Sequence, residues 1–386
     1  MNFLVFSDDW GIHPSSCQHL FRQLAPEHPT VWVNTVGMRS PRISLEDLRK
    51  GMRKLSAMLS HAGTTSRMAV GSAVDSGGGS FKVTVCSPRM APLRWPSFLL
   101  EWNFRSIVRS VSTTLDSLGF SEFCLVTTVP NIHGAVDRLG ASKVIYYCVD
   151  DFSEWPGMER DATLEMESRL LRSVDSVIAT SQALFDKFST THPTHLLTHG
   201  VDLETFTRDS VDVHRVLNDV PEPRVGYFGL LDDRSDIDLL VAVATELPDV
   251  SFVFTGPTEG DLSSLRRLPN TYFSGSVPYP ELPSVIAGWR ACFLPYRMNA
   301  LTEKINPLKL KEYLASGKPV VSTPLPEATR LRNYLRIAVD VDEWCAAIRN
   351  ALNGEWHVDR DATLHFLQDE SWASKASQFL AICEKA

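Results

Sequence analysis

Short apolar runs alternate with amphipathic stretches along the first half of the chain. The apolar runs that predict strands cover residues 3–6, 30–34, 81–86, 123–127, 144–149 and 176–179. Several are almost continuously apolar, as expected for parallel strands that are covered on both faces. Between them, apolar positions at helical spacing predict helices such as 16–24, 98–118 and 158–174. This alternation predicts a doubly wound α/β domain.

The same alternation starts again in the second half. It fades over a polar stretch, residues 201–223, and resumes with predicted strands at 224–228, 251–255, 271–273, 291–294 and 320–322. Helices are predicted at 236–245, 279–287 and 307–316, with a last one at 371–384. Two such series imply two doubly wound domains that face a cleft. We predict a first domain over residues 1–205, a second over 206–370, and a C-terminal helix within 371–386 that packs back toward the first domain.

Composition places the chain among globular proteins. Of its 386 residues, 44% are hydrophobic and 22% are charged, which excludes disordered and fibrous classes and suits two cores. No apolar run approaches the ~18–20 residues that span a bilayer, and the first residues lack the basic start of a signal peptide. Seven scattered cysteines without a Cys-x-x-Cys pair argue against a disulfide framework or a zinc site. These features predict a cytoplasmic protein.

Charge is unevenly distributed along the chain. The formal net charge is −8, but residues 39–109 hold twelve Lys/Arg and four Asp/Glu, so this stretch carries +8 and the remainder −16. One basic zone in an acidic protein indicates a local anionic partner and argues against a general affinity for nucleic acid. Within this zone, the Gly- and Ser-rich stretch 61–80 predicts a mobile loop.

The segment that most clearly suggests chemistry runs from residue 306 to residue 323. Asn306 is a good N-cap, Pro307 suits the first helical position and Gly317 suits the residue after the last, so a helix is predicted over 307–316. The free amides at its start favour a phosphate. Lys309 adds a full charge there, and Glu312, on the same face, could accept both hydroxyls of a ribose. An ordinary capped helix with a solvated Lys–Glu pair explains the same spacing.

At this motif the chain resembles GT-B glycosyltransferases of the bacterial exopolysaccharide and teichuronic-acid type, which are group 1 or GT4-like. Further pieces resemble the family in its own order, at residues 144–153, 179–184, 199–206, 225–229, 254–257, 278–283 and 294–302. The resemblance implies two Rossmann-like domains, with the acceptor in the first and a nucleoside-diphosphate sugar, favoured to be a UDP-sugar, in the second. It implies a glycan or lipid-linked glycan acceptor, and neither a metal nor another cofactor.

The same resemblance assigns residues to a donor site. These are Gly229, for close approach of the backbone to the phosphates; Thr302, Pro307, Leu308 and Lys309, for the diphosphate; Glu312, for the ribose; and Val277 to Tyr279, for the base. Retaining members commonly carry a glutamate where this chain has Lys304. They also carry Arg and Lys after the glycine loop, where only Arg234 can supply that charge here. These departures favour inversion over retention.

Two aspartates, Asp150 and Asp151, end an apolar strand at the edge where such sheets bind ligands. Inverting transfer needs a base that takes the proton of the acceptor hydroxyl, a contribution of about 10²–10⁴-fold. In the xanthan glucuronosyltransferase, which this strand also resembles, the aspartate that matches Asp150 is that base. We therefore predict Asp150 as the base, with Asp151 beside it. The alternative is that one or both carboxylates cap the turn at residues 152–156.

The segment that follows the first predicted strand, residues 7–16, resembles the opening of some exopolysaccharide transferases. His13 is a second candidate base, because an unperturbed histidine titrates near neutrality. Trp10, Ser15 and Ser16 are candidates for acceptor binding. Either serine could equally be the N-cap of the helix at 16–24.

Aromatic and basic side chains are interleaved over residues 89–105. Together with a basic cluster at residues 49–54, they could bind an anionic membrane surface, at about 1 kcal/mol per Lys/Arg. The protein would then be peripheral on the inner face of the cell membrane. The alternative is a core helix over residues 98–118 with solvated arginines.

Two other functions suit the same fold. One is a nucleotide-sugar epimerase, which needs no acceptor. The other is a nucleotide-sugar-binding partner subunit without catalysis, against which the aspartates at the strand end argue. Donor turnover without an acceptor would indicate the epimerase, and tight binding without any product would indicate the binding subunit.

Overall fold

A computed structural model describes residues 1–12, 15–35, 73–74, 80–81, 83–91, 97–208, 211–356 and 358–385. His13, the second candidate base, and the basic cluster 49–54 lie outside the described residues. So does most of the stretch 61–80, for which the composition predicts a mobile loop. The described residues of that stretch contribute to two short strands, β3 (Ala73–Val74) and β4 (Ser80–Phe81), which pair antiparallel.

The chain folds into two compact units. Unit 1 comprises Met1 to Leu197 and the chain from Ala376 onward, and unit 2 comprises Thr198–Lys375. The sequence predicts boundaries after residues 205 and 370, so residues 198–205 and 371–375 fall in a different unit from the one predicted. In both places the difference arises from contacts between residues that are far apart in the chain.

A buried ion cluster holds the two end segments of unit 2 together. Glu370 pairs with Lys311 and, at 2.7 Å, with Lys375, and both lysines are 4% exposed. The Thr198 hydroxyl donates to Glu370 Oε2 over 2.9 Å. We call Thr198, Lys311, Glu370 and Lys375 the end cluster. It attaches the first and last residues of unit 2 to the helix that carries Lys311.

Unit 1 is built on a seven-stranded parallel sheet of order β5-β2-β1-β6-β7-β8-β9. Its strands are β1 (Phe3–Ser7), β2 (Thr30–Asn34), β5 (Val83–Cys86), β6 (Cys124–Thr127), β7 (Lys143–Cys148), β8 (Ser176–Ala179) and β9 (Thr194–Leu196). Its helices are α1 (Ser16–Leu24), α2 (Ser97–Leu118), α3 (His133–Val136), α4 (Arg160–Leu171) and α5 (Gln182–Phe188), with 3₁₀ turns at Pro130–Ile132 and Phe152–Glu154. Strand order reverses between β1 and β6, and sheets of this kind bind ligands beyond the carboxyl ends at that point.

Unit 2 repeats this plan with a six-stranded parallel sheet of order β12-β11-β10-β13-β14-β15. Its strands are β10 (Arg224–Phe228), β11 (Ser251–Thr255), β12 (Thr271–Gly275), β13 (Ala291–Leu294), β14 (Val320–Ser322) and β15 (Arg336–Ile337). Its helices are α6 (Leu203–Phe206), α7 (Ile237–Glu246), α8 (Ser263–Arg266), α9 (Leu282–Ala287), α10 (Leu308–Ala315), α11 (Pro326–Arg330), α12 (Val341–Leu352) and α13 (Arg360–Asp369), with 3₁₀ turns at Arg215–Leu217, Tyr279–Glu281 and Thr302–Lys304. Here the order reverses between β10 and β13.

The last helix, α14 (Trp372–Lys385), begins in unit 2 and continues into unit 1. In unit 1 the buried Phe379 ring lies 6.2 Å from the Phe3 ring and 5.8 Å from the Phe21 ring, centroid to centroid. Lys143, at the start of β7, donates to the backbone carbonyl of Cys383 over 2.7 Å. These contacts attach the end of the chain to the sheet of unit 1.

The prediction of two doubly wound parallel sheets is confirmed. The near-continuous apolar runs do form buried strands: every residue of β1, β6 and β8 is buried. Apolar burial on both faces is what a parallel sheet covered by helices requires. Among the described helices, none is both long enough and apolar enough to cross a membrane.

Candidate active site

The helix of the 306–323 motif begins one residue later than predicted. α10 starts at Leu308, and its N-cap is Pro307, with φ −72° and ψ 114°, so the prediction of Asn306 as N-cap is wrong. The proline ring fixes φ alone, and the extended ψ keeps Pro307 outside the helix. The end is as predicted, because Gly317 takes the left-handed φ of 71° after the last turn. Pro307 supplies no side-chain cap to the start of α10, and the first amides of a helix suit an anion.

Lys309 folds over the glycine that follows β10. Its Nζ donates to the Tyr227 hydroxyl over 2.7 Å and lies 4.1 Å from the centre of that ring and 5.5 Å from the Tyr296 ring. A Cβ on Gly229 would lie 2.7 Å from the same Nζ, and Gly229 has a φ of 110°. The position therefore needs a glycine for both space and backbone conformation. Burial lowers the pKa of Lys309.

A second cation joins this group from the loop that follows Gly229. Arg234 Nε lies 2.9 Å and 3.0 Å from the two carboxylate oxygens of Asp232, and its guanidinium lies 5.6 Å from the Tyr296 ring. Burial opposes ionisation of the Tyr296 phenol, but the charges of Lys309 and Arg234 outweigh it and lower the pKa of Tyr296. Two cations and one carboxylate leave a net positive charge beside Gly229.

Glu312 is buried on α10 and is held by a tyrosine from a distant segment. The Tyr279 hydroxyl donates to Glu312 Oε1 over 2.7 Å, and the Tyr279 ring meets Phe206 edge-on, with centroids 5.5 Å apart. Burial raises the pKa of Glu312 to about 7. Val277, the other residue predicted to line a base pocket, packs against the core of unit 2. The structure thus joins the predicted ribose and base residues by one hydrogen bond.

Thr302 is fully buried and its hydroxyl shapes its own loop. It accepts from the Asn299 amide over 3.0 Å and donates to the Arg297 carbonyl. Lys304 ends the 3₁₀ turn that Thr302 begins. Leu308, the first residue of α10, is half-buried. These contacts indicate that Thr302 holds the loop before α10.

In unit 1 the two aspartates after β7 differ in their surroundings. Asp151 is 2% exposed, caps the 3₁₀ turn Phe152–Glu154, and accepts from the Ser153 amide and hydroxyl over 3.2 Å and 2.6 Å. It also pairs with Lys187 over 3.2 Å. The capping alternative therefore describes Asp151, while Asp150 keeps a half-exposed position.

The candidate acceptor residues follow β1, and two of them have structural partners. Ser15 is the N-cap of α1 and accepts from the Gln18 amide over 3.3 Å. Ser16 is buried, and its side chain lies beside Tyr147. The Trp10 ring is half-exposed and packs against Trp32, with centroids 4.6 Å apart. Trp10 and Ser15 are both partly exposed, whereas Ser16 is buried.

Sequence reasoning missed Asp8, which organises this segment. Its carboxylate accepts from Ser7 Oγ over 2.8 Å, from Ser15 Oγ over 2.9 Å and from Gln18 Nε2 over 2.6 Å. The available signal was its position directly after a buried strand. Tyr227 and Tyr296 were missed as well, because their contacts with Lys309 join residues far apart in the chain.

Within the described residues, no group of three His, Cys, Asp or Glu side chains is placed to hold a metal ion. The structure does bring Gly229, Arg234 and Lys309 together, and it brings Tyr279 to Glu312. Within unit 1, Asp150 and the segment around Trp10 both follow carboxyl ends of sheet strands.

Comparison with known proteins gives a family for part of unit 2. Residues 222–354 match the family described as glycosyl transferases group 1. The chain is also similar to the putative teichuronic acid biosynthesis glycosyltransferase TuaH of Bacillus subtilis (strain 168), with 29% identity over 227 residues. That match covers 54% of this chain and 57% of the relative, little more than half the relative's length.

Solved structures show the fold of the whole chain. The sucrose-phosphate synthase tll1590 of Thermosynechococcus elongatus superposes with a TM-score of 0.69 and 16% identity, over 100% of this chain and 98% of that one. Alr3699/HepE of Anabaena, in complex with UDP and glucose, superposes with a TM-score of 0.65 and 13% identity, over 100% of this chain and 99% of that one. At these identities the likeness concerns the fold alone, which is GT-B.

Proposed function

We propose that the chain transfers a sugar from a nucleoside-diphosphate sugar to a glycan acceptor, since residues 222–354 match the family described as glycosyl transferases group 1. The observation that carries this proposal is the construction of α10. Lys309, in its first turn, lies beside Gly229, and Glu312 follows one turn later against Tyr279. One helix thus offers a site for an anion and, one turn later, a carboxylate that can accept from ribose hydroxyls.

The donor we propose is a UDP-sugar, bound without a metal ion. Its diphosphate would lie against the first amides of α10, with Lys309 and Arg234 supplying positive charge. As the sugar leaves, charge grows on the diphosphate, and fixed donors in a site of low polarity stabilise it. Two structural relatives support the choice of nucleotide, since they are described with UDP and with UDP-2-fluoro glucose.

Calorimetry tests the proposed donor site. In calorimetric titrations with EDTA, a UDP-sugar should bind, and Lys309→Met should weaken binding by about tenfold to a hundredfold, the value of a hydrogen bond to a charged group. Lys318→Met is the matched control, because this partly buried lysine follows α10 and donates to the Ala287 carbonyl. No binding of any nucleoside-diphosphate sugar would contradict the donor site. Conversion of the donor to its epimer without release of UDP would favour the epimerase, and binding without product would favour the partner subunit.

The stereochemical proposal is inversion with Asp150 as the base. Its support is that Asp150 is half-exposed at the end of β7, while Asp151 is engaged in a cap and an ion pair. A trehalose-6-phosphate synthase among the structural relatives is described as transferring with retention, so the configuration of the product must be measured. NMR of the product anomer decides it, and a retained configuration would contradict the proposal.

Asp150→Asn tests the base directly. We expect kcat to fall by about 10²–10⁴-fold with donor affinity unchanged. Asp137→Asn, an exposed aspartate after α3, serves as the control. Normal turnover by Asp150→Asn would remove the assignment.

One surface of unit 1 favours a lipid-linked acceptor at an anionic membrane. Phe98 and Trp102 are 68% and 45% exposed, and the exposed Arg105 and Arg109 follow on the same face of α2. Aromatic rings beside arginines suit the interface of an anionic bilayer. We expect flotation with phosphatidylglycerol-containing vesicles but not with phosphatidylcholine alone. Trp102→Ser should reduce it and Val339→Ser, a control at an exposed valine, should not; equal flotation of all three proteins would contradict the proposal.

A further inference from the structure

The turn that presents Asp150, residues 149–154, is held by contacts on several sides. Thr180, which follows β8, donates its hydroxyl to the Val149 carbonyl over 3.0 Å and its amide to the Cys148 carbonyl over 3.3 Å. The Cys148 thiol contacts the Asp150 carbonyl over 3.4 Å. These contacts hold the backbone carbonyls of residues 148–150, and the Asp151 carboxylate holds the next part of the turn through the Ser153 amide and hydroxyl.

Lys187, on α5, holds Asp151 from a neighbouring element. Its Nζ lies 3.2 Å from Asp151 Oδ1 and 2.8 Å from Glu167 Oε2, on α4. Glu167 Oε1 accepts from the Tyr146 hydroxyl, on β7, over 3.1 Å. The side chains of Asp151 and Glu167 are 2% and 8% exposed, against 23% for Lys187. One ammonium therefore joins two buried carboxylates from two elements.

The charges make this ammonium necessary to the arrangement. Burial disfavours the ammonium, but the two carboxylates, Glu167 first, outweigh it and raise the pKa of Lys187. Without the ammonium, the two buried carboxylates would lose the positive charge that joins them, which is unfavourable in a site of low polarity. Asp151 would then turn toward solvent and release its cap on Ser153. The turn would lose its single conformation.

We propose that Lys187 is a positioning residue for transfer, acting through Asp151 on the turn that presents Asp150. The proposal rests on the proposed function, in which Asp150 is the base. A displacement of about 1 Å at a reacting group can reduce the rate by about 10²-fold, and this is the scale of effect expected here. Donor affinity should not change, because the proposed donor residues lie in unit 2.

Hydrogen exchange tests the proposal without any substrate. In the full chain, Lys187→Met should speed amide exchange in residues 149–154, and Lys187→Arg, which keeps the charge, should largely restore protection. Lys143→Met is the matched control, since Lys143 lies at the opposite end of β7 and bonds backbone carbonyls of α14. Protection in 149–154 that is equal in Lys187→Met and Lys143→Met overturns the proposal. If Lys187→Met does not fold, Glu167→Gln removes one ion pair and is judged by the same exchange.

Turnover provides the second readout, with water as the acceptor and the UDP-sugar found by titration as the donor. Lys187→Met should lower kcat for UDP release by about 10²-fold and leave KM unchanged. In an Asp150→Asn background the same substitution should add little loss, since both act on one group. An equal loss in both backgrounds overturns the proposal. Normal turnover by Asp150→Asn alone contradicts the proposed base, and the exchange experiment then still decides the role of Lys187.

Discussion

At the residue scale, Glu312 couples donor binding to pH. Burial raises the pKa of Glu312 to about 7, and the ionised carboxylate is the form that accepts two ribose hydroxyls. Its population rises about tenfold between about pH 6 and about pH 8. We expect calorimetry to show a UDP-sugar affinity that rises by about the same factor. Glu312→Gln should bind more weakly and with a flat pH profile; an equally steep profile in this variant would contradict the assignment.

The same burial makes Glu312 unfavourable for stability in the free protein. The pKa of the folded state lies above the ordinary value of 4.5, so the folded state holds the proton more tightly than the unfolded state. The free energy of unfolding should therefore fall as pH rises from about 4.5 to about 7, and then level off. At about pH 8, Glu312→Gln should be more stable than the wild type by about 3 kcal/mol. Denaturant unfolding measures this, and a destabilised variant would count against the raised pKa.

Gly229 gives a second prediction, because space and conformation both require it. Gly229→Ala would place a methyl group 2.7 Å from Lys309 Nζ at a φ of 110°. We expect a loss of stability of about 1–3 kcal/mol and donor binding weakened by about tenfold or more as Lys309 moves. Gly354→Ala is the control for strain alone, since Gly354 has a φ of 74° and open space around it. Donor affinity that falls equally in both variants would contradict the role of Gly229.

At the element scale, α10 shows what local sequence can and cannot predict. The Asn306-Pro307 start and the Gly317 end place the helix to within one residue. The first turn differs because ψ at Pro307 depends on the preceding loop, which Thr302 holds through Asn299 and Arg297. Contacts of that kind have no signature in helical spacing. The chemistry of α10 is therefore predictable from its residues, while its exact cap is not.

The end cluster shows how α10 is tied to other elements. Glu370 lies between two nearly buried ammonium groups, from Lys311 and Lys375. Glu370→Gln would remove the carboxylate that both ammonium groups contact, and we expect the free energy of unfolding to drop by about 3 kcal/mol or more. Asp369→Asn, an exposed neighbour at the end of α13, should change it by about 0.5 kcal/mol or less. Equal unfolding midpoints for the two variants would show that the end cluster adds no stability.

At the scale of the whole molecule, the repeated alternation of strands and helices was enough to predict two parallel sheets. That alternation did not predict where each unit begins and ends. Contacts between distant residues decide those limits, such as the contacts of Thr198 with Lys311 and Lys375, which are 113 and 177 residues away in the chain. In the candidate site too, the sequence indicated some residues but not the contacts that hold them. Helix spacing indicated Lys309 and Glu312, and the family resemblance assigned Gly229 and Tyr279 to the site. The contacts of Lys309 with Tyr227 and of Glu312 with Tyr279 emerged only from the fold.

The proposed function depends on where a nucleotide binds in unit 2. The most direct measurement is a crystal structure of the protein with a UDP-sugar. We expect diphosphate oxygens within about 3.2 Å of Lys309 Nζ and of an amide in the first turn of α10, with ribose hydroxyls at the same distance from the Glu312 carboxylate. A nucleotide bound elsewhere, with Lys309 still on Tyr227 and Glu312 still on Tyr279 alone, would contradict the proposed function.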